Sequence, residues 1–247
     1  MEGMGIPTAE TNPRPGGART QTSIAIERLR EEIITGKLPP NEKLGVKALA
    51  ARYGLATSSL REALSRLVTD ALVVAEDQRG FRVSPVSRSG LIDLTEARVG
   101  IDCLALTRSI EYGDVAWESQ VIGAFHRLSR CTETTEPNSA EAAFWSNAHA
   151  EFHQALIAAC RSEWLLYFSG LMYQQSNRYR LLNAFSRQTA TRNALHEHEA
   201  LMHATVSRES TRACELLAAH FRETTRQLLE AYAPAGGDAF ESDAARR

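Results

Sequence analysis

Lysine is scarce in this chain: Lys37, Lys43 and Lys47 are the only three, and all fall within the first fifth of its 247 residues. Formal net charge is −2, which excludes a uniformly basic coat for nucleic acid. Charge is uneven, however. Residues 22–86 carry ten Lys/Arg against eight Asp/Glu, so this part is +2 and the remainder −4. The asymmetry favours a DNA-facing N-terminal part. Cysteine is also sparse. The four present, Cys103, Cys131, Cys160 and Cys214, form no Cys-x-x-Cys pair. Each lies in an apolar helical pattern, which predicts buried free thiols and a reducing cytoplasm rather than a disulfide scaffold. No apolar run approaches the roughly 18–20 residues of a membrane helix. Residues 1–21 are rich in Gly, Pro and Thr, lack a signal-peptide core and read as a disordered tail. The Gly/Ala/Asp-rich residues 234–247 read as a second loose tail. Neither Gly-x-Ser-x-Gly nor a nucleotide-binding glycine loop is present, and no internal repeat is visible.

What is there centres on residues 44–67. Two short helical patterns flank Tyr53-Gly54-Leu55. The first places Val46, Leu49 and Ala50 on one face; the second does so with Leu60, Ala63, Leu64 and Leu67. Gly54 supplies the positive φ of a tight turn, and Leu55 plugs the gap. This is a helix-turn-helix, whose second helix enters the major groove. A helix precedes it, capped by Ser23, striped by Ile24, Leu29, Ile33 and Ile34, and closed by Gly36. Two short β-like runs follow, Leu72–Ala75 and Phe81–Val83, joined as a hairpin that reads as a wing. From Ser89 onward the pattern is helical: Leu91–Glu111, Val115–Cys131, Glu141–Cys160, Glu163–Phe185, Thr191–Ser207 and Thr211–Tyr232. Stripes such as Leu91/Leu94/Ala97/Ile101/Leu104 and Leu217/Phe221/Leu228 suit an antiparallel bundle. The expected fold is mainly α: a winged helix-turn-helix over 22–87, then an antiparallel α-helical effector and dimerisation domain over 88–233.

The reading edge follows from chemistry. Arginine grips guanine O6/N7 with two hydrogen bonds, worth about 1–3 kcal/mol of discrimination. Arg61 projects from the first turn of the second helix. Thr57, Ser58 and Ser59 supply hydroxyls at a helix N-terminus, which favours phosphate. Lys47 suits a phosphate contact, and the wing residues Gln78, Arg79 and Gly80 suit the minor groove. For Arg61 the plain alternative is a surface charge paired with Glu62 or Ser65; for Ser58 and Ser59 it is capping.

All seven histidines lie after residue 125. His149 and His153 are four apart and share a helix face with Phe152 and Leu156. His198 shares a stripe with Leu195, Leu201 and Met202, and His220 lies beside Leu217 and Phe221. Three inward stripes meeting at one point would suit Zn²⁺, with Ni²⁺ or another divalent transition metal as alternatives. His126, His196 and His203 read as ordinary residues, the latter two near enough in sequence to support the ligands from behind. His149-Ala-Glu-Phe-His153 departs from the zinc-protease His-Glu-x-x-His spacing, because Glu151 stands two after the first histidine. A metal-dependent hydrolase or oxygenase carrying a helix-turn-helix is therefore the weaker alternative, and no enzyme is expected.

Residues 22–87 resemble the winged-helix domain of the GntR family of bacterial transcription regulators. The resemblance rests on Ile-Glu-Arg-Leu-Arg-Glu-Glu-Ile-Ile-Thr-Gly at 26–36, Leu38 to Pro40, Leu49-Ala50, Arg61-Glu62-Ala63-Leu64 with Arg66-Leu67, and Arg79-Gly80-Phe81 with Val83. The remainder is similar to the all-helical FCD-type effector domain of the FadR-like branch, through Asp93-Leu94-Thr95-Glu96-Ala97-Arg98, Phe152-His153, His198 and His220. The resemblance implies a homodimer that binds an inverted-repeat DNA operator, most often as a repressor. It also implies a metal held by His153, His198, His220 and the residue four before His153, and a small carboxylate effector near Arg98. Three positions depart from the family pattern. Thr57 stands where many relatives carry a second arginine, and His149 stands where the metal-binding acid usually is. Asp102 replaces the usual Glu, and Arg180 belongs to a polar run, Tyr173 to Arg180, that lines either the pocket or an interface. The run from Cys103 to Glu118 is similar to regulators of organic-acid catabolism and implies a dicarboxylate such as glutarate. A further reading keeps regulation but lets the histidines bind the effector directly.

Overall fold

The computed structural model describes residues 19–77, 79–131, 139–182 and 194–231. The fold is mainly helical. Helix α1 (Gln21–Ile34) precedes the two-residue strand β1 (Lys43–Leu44), helix α2 (Val46–Tyr53) and helix α3 (Thr57–Thr69). Strands β2 (Val73–Glu76) and β3 (Gly80–Val83) follow. The α1 cap is Thr20, whose hydroxyl accepts the Ser23 N–H at 3.1 Å. Ser23 was the expected cap, but the helix starts earlier because Thr20 is an equally good capping residue. Its buried line is Thr22, Ala25, Leu29 and Ile33, with Ile24 and Ile34 at the margin.

Gly54 closes α2 at φ 66°, and Leu55 packs against the core. Leu29, Leu60, Leu64 and Leu67 are fully buried. Burying each contributes about 1.5–3 kcal/mol, and this fixes α3 against α1. The β2–β3 hairpin pairs Val73 with Val83 and Glu76 with Gly80, while β1 adds to its other edge in the order β1-β3-β2. Strand β1 was absent from the expected elements, since two residues carry no readable period.

The C-terminal bundle consists of α4 (Arg88–Tyr112), α5 (Val115–Ser129), α6 (Ala140–Ile157), α7 (Glu163–Leu182), α8 (Ala194–Val206) and α9 (Ser210–Ala231). Side chains of Ser87, Asp114 and Ser139 cap α4, α5 and α6. The expected breaks at 136–138 and 186–190, and both tails' remoter residues, lie outside the described residues. Helix α4 departs from the expected stripe. It buries Leu91, Thr95, Arg98, Asp102, Ala105, Leu106, Ser109 and Ile110, whereas Ala97 is exposed and Leu104 is 51% exposed. The inward face is partly polar because it lines a polar centre, so the expected stripe holds at Leu91, is half-buried at Leu94 and Ile101, and fails at Ala97 and Leu104. Leu195 on α8 is likewise exposed. Of the cysteines, Cys160 alone is buried; Cys103, Cys131 and Cys214 are half-buried, and all four are free.

Helix α7 lies between the two cores. Gln175 donates to the Asp70 carbonyl at 2.6 Å, and Gln174 accepts from Arg30. Arg178, 1% exposed, donates to the Ser84 carbonyl. Tyr179 packs with Val86, Leu91 and Leu228 in a small apolar seam.

Candidate functional site

At the N-terminal end, α3 follows Ala56, which has no side-chain cap to offer, so its first-turn amides are not closed off by a neighbouring hydroxyl. Thr57, Ser58 and Arg61 are exposed and Ser59 is half-buried. Arg61 makes no ion pair among the described residues. Glu62, its expected surface partner, is taken by Arg66 at 2.6 Å and Thr22 at 3.0 Å. Lys47 and Arg79 are exposed as well. Gly80 adopts φ 95°, a conformation that suits glycine and lets the wing turn tightly. Gln78 lies outside the described residues.

Within the bundle, α6 brings His149 and His153, α8 brings His198, and α9 brings His220 to one buried point. One nitrogen from each of the four lies within 4.8 Å of the others. Tetrahedral zinc with bonds of about 2.0–2.1 Å needs ligand nitrogens about 3.3 Å apart, a contraction side-chain rotation can supply. Burial, then Arg180, holds His149 well below the ordinary imidazole value; burial, then His220, does so for His153. Both rings are therefore neutral near pH 7, the form that ligates metal. Nε2 of His153 is buried without a hydrogen-bond partner, an arrangement that costs energy unless something fills it. Glu197 accepts from Nδ1 of His220 at 2.9 Å, which aims Nε2 of that ring inward. Sequence reasoning missed Glu197. His126, His196 and His203 are exposed, as ordinary residues would be, and neither His196 nor His203 supports a ligand from behind. The missed signal was an acid one residue before His198 on the stripe facing α9.

The walls are cationic and aromatic. Arg98 pairs with Asp102 at 3.2 Å and stacks over Phe221 at 3.8 Å. Burial drives the Asp102 carboxyl up from its ordinary value, and Arg98 opposes that shift. Asp102 Oδ1 and the Tyr173 hydroxyl are buried and lack hydrogen-bond partners. Arg180 lies 3.3 Å from His149 Nδ1, and His149 stacks on Trp145. A guanidinium only donates, so this nitrogen accepts. The structure thus gathers Arg98, Asp102 and Arg180 around the histidines and divides the rest of the polar run. Tyr173 and Arg180 face the site, whereas Arg178 and Tyr179 hold the seam toward the N-terminal unit.

A three-helix unit with a β wing, followed by a helical bundle around a buried polar centre, defines a winged-helix transcription regulator with an effector domain. Residues 21–83 match the family model of bacterial regulatory proteins of the gntR family, and residues 93–223 match the FCD domain. The chain is 37% identical over 218 residues to the HTH-type transcriptional regulator BphR of Paraburkholderia xenovorans strain LB400, covering 87% of this chain and 89% of that one. It is 33% identical over 197 residues to the HTH-type transcriptional repressor GlaR of Escherichia coli strain K12, covering 78% and 88%. Among solved structures, E. coli McbR/YncC superposes with a TM-score of 0.69 at 18% identity, covering 87% of this chain and all of that one. The chain belongs to the GntR family. It is a DNA-binding, ligand-responsive transcription regulator rather than an enzyme. No helix among the described residues is long and apolar enough to cross a membrane.

Proposed function

We propose that this regulator, of the FadR-like branch, is a cytoplasmic repressor of an organic-acid catabolic pathway. In this reading residues 22–87 read DNA and residues 88–233 bind metal and effector. The observation that carries it is the placement of four buried imidazoles between Arg98 on α4 and Arg180 on α7, the helix that also holds the reading head through Gln175 and Arg178.

His149, His153, His198 and His220 would hold a divalent metal, Zn²⁺ before Ni²⁺ on ligand type; His149 would join once Arg180 leaves its Nδ1, because a neutral ring that accepts there carries its proton on Nε2. The metal supplies a Lewis-acidic position for a carboxylate oxygen. The chain's own residues do the rest. A divalent ion beside Arg98, Arg180, Asp102 and Glu197 leaves two positive charges in excess, which suits a dicarboxylate. With histidine in place of the usual acid at 149, one negative charge is removed from the metal shell. Arg180 can exchange His149 for an effector carboxylate, binding it as a two-pronged fork. That exchange pulls on α7, and with it Gln175 and Arg178, which grip the Asp70 and Ser84 carbonyls. Effector then favours one placement of the reading head over another.

Two copies supply two heads for an inverted repeat, and the spacing of the half-sites makes affinity sensitive to head placement. The exposed apolar side chains of α4 and α7, among them Ile92, Leu104, Trp164 and Phe168, support pairing of the bundles. On the DNA side, Arg61 reads a base, Lys47 and the α3 hydroxyls of Thr57, Ser58 and Ser59 contact phosphate, and Gln78, Arg79 and Gly80 enter the minor groove. The test is fluorescence anisotropy with DNA from upstream of the gene, using zinc-loaded dimer and a panel of mono- and dicarboxylates. Release by a dicarboxylate, weakened in Arg180→Ala, is expected. Release that is equal in chelated protein would move the site to the metal-free reading.

A further inference from the structure

Outside the metal centre, two cysteines on different helices face each other. Helix α4 packs along α9. The Cys103 sulfur, on α4, lies 3.6 Å from the Cys214 carbonyl oxygen, and the Cys214 sulfur, on α9, lies 3.5 Å from the Cys103 carbonyl oxygen. This reciprocal crossing places both sulfurs between two closely apposed backbones. A disulfide needs two cysteines on closely apposed backbones with facing Cβ atoms, and each sulfur here reaches the other residue's backbone. Both residues are half-buried, so a small oxidant can reach them.

The two thiols are not equivalent. Cys214 has a further polar contact, the Thr107 hydroxyl 3.4 Å from its sulfur, and its neighbours Cys103 and Thr107 lower its thiol from the ordinary value. Contact with Cys214, and then burial, raise Cys103. One attacking thiolate and one resolving thiol is the division of labour that oxidation requires. The other cysteines lack it. Cys160 is buried, and the half-buried Cys131 donates to the Arg127 carbonyl of its own helix and is raised by burial.

We infer that Cys103 and Cys214 form a peroxide-oxidisable dithiol whose disulfide ties α4 to α9 within one chain. The Cys214 thiolate attacks one oxygen of hydrogen peroxide. An S–O bond forms, the O–O bond breaks, and the departing hydroxide takes a proton to become water. The Cys103 sulfur then attacks the Cys214 sulfenic acid. The S–S bond forms, the S–O bond breaks, and the hydroxyl leaves with the Cys103 proton as a second water. The sulfurs lose two electrons and the peroxide gains them. The cross-link fixes the spacing of the helices that carry Arg98 and Asp102 on one side and His220 on the other.

The test uses the full chain, fully reduced and then exposed to hydrogen peroxide. Digestion without reductant followed by mass spectrometry is expected to show the Cys103 and Cys214 peptides joined, with two hydrogens lost. In Cys103→Ser the link disappears and dimedone labels Cys214. In Cys214→Ser, Cys103 stays reduced at the same exposure, and Cys131→Ser leaves the link intact. Thermal melting of each variant checks that it is folded. The inference is overturned if folded wild-type protein links Cys103 to Cys214 only between chains, or if Cys131 oxidises while the pair stays reduced.

Discussion

Glu197 offers the sharpest test of the metal centre, because it touches no metal in the proposed arrangement yet should govern affinity. Its carboxylate accepts from Nδ1 of His220 at 2.9 Å. Glu197→Gln keeps an acceptor of the same shape and removes the charge. Losing a carboxylate behind a ligating histidine typically weakens metal affinity about 10–100-fold. At free metal about 1,000 times the wild-type dissociation constant, binding stabilises the fold by about 4.1 kcal/mol. The same metal concentration would be only about 10–100 times the variant's constant, so the variant would lose about 1.4–2.7 kcal/mol of that stabilisation. For a chain of this size each kcal/mol moves Tm by about 2–4 °C, so the metal-induced rise should shrink by roughly 3–11 °C. Differential scanning fluorimetry with and without chelator reads this directly, and competition with a chelating dye gives the affinity ratio. The apo forms should melt within a degree or two of each other, since Glu197 is partly exposed. A metal-induced rise equal in wild type and Glu197→Gln would refute the reasoning; it would mean that His220 is not a ligand or that its ring is aimed by something else.

Other consequences follow from the same geometry. Arg61→Ala should cost about 1–3 kcal/mol per half-site and relax base preference there, whereas Lys47→Ala should weaken all sequences alike and flatten the salt dependence by about one counterion per half-site; anisotropy over a salt series separates the two. Apo protein should lose stability as pH falls below the ordinary imidazole value of 6.5. There the unfolded chain takes up protons that the folded His149 and His153 refuse, so ΔG of unfolding rises with pH, by up to about 2.7 kcal/mol per pH unit for the pair, and levels off above 6.5. Urea titrations of chelated protein between pH 5 and 8 measure that slope, and a flat profile contradicts neutral buried rings. Arg98→Ala should destabilise the apo bundle by about 3–5 kcal/mol, because it strands Asp102, and Arg98→Met with Asp102→Leu should recover most of the loss; chemical denaturation of the three proteins decides it.

Period and turn chemistry alone determined most of the architecture. The α3 line Leu60, Ala63, Leu64 and Leu67 is buried as read, and so are Leu217, Phe221 and Leu228 on α9. Gly54 adopts the positive φ expected of it. Spacing also put His149 and His153 on one inward face, where the structure buries them beside Phe152. These are local properties, set by 3.6 residues per turn and by which side chains avoid water. Only the tertiary structure decided what lies across from what. It turned inward a face of α4 on which Thr95, Arg98, Asp102 and Ser109 stand beside Leu91, Leu106 and Ile110, because the centre it lines is polar. It set Glu197, rather than His196 or His203, against the His220 ring, since reach depends on how α8 and α9 pack rather than on separation along the chain. It divided Tyr173 to Arg180 between the pocket and the seam toward the reading head, a distinction of helix azimuth that a run of polar and aromatic residues cannot encode. And it brought Cys103 to Cys214 across 111 residues of sequence, where nothing local marks them as neighbours.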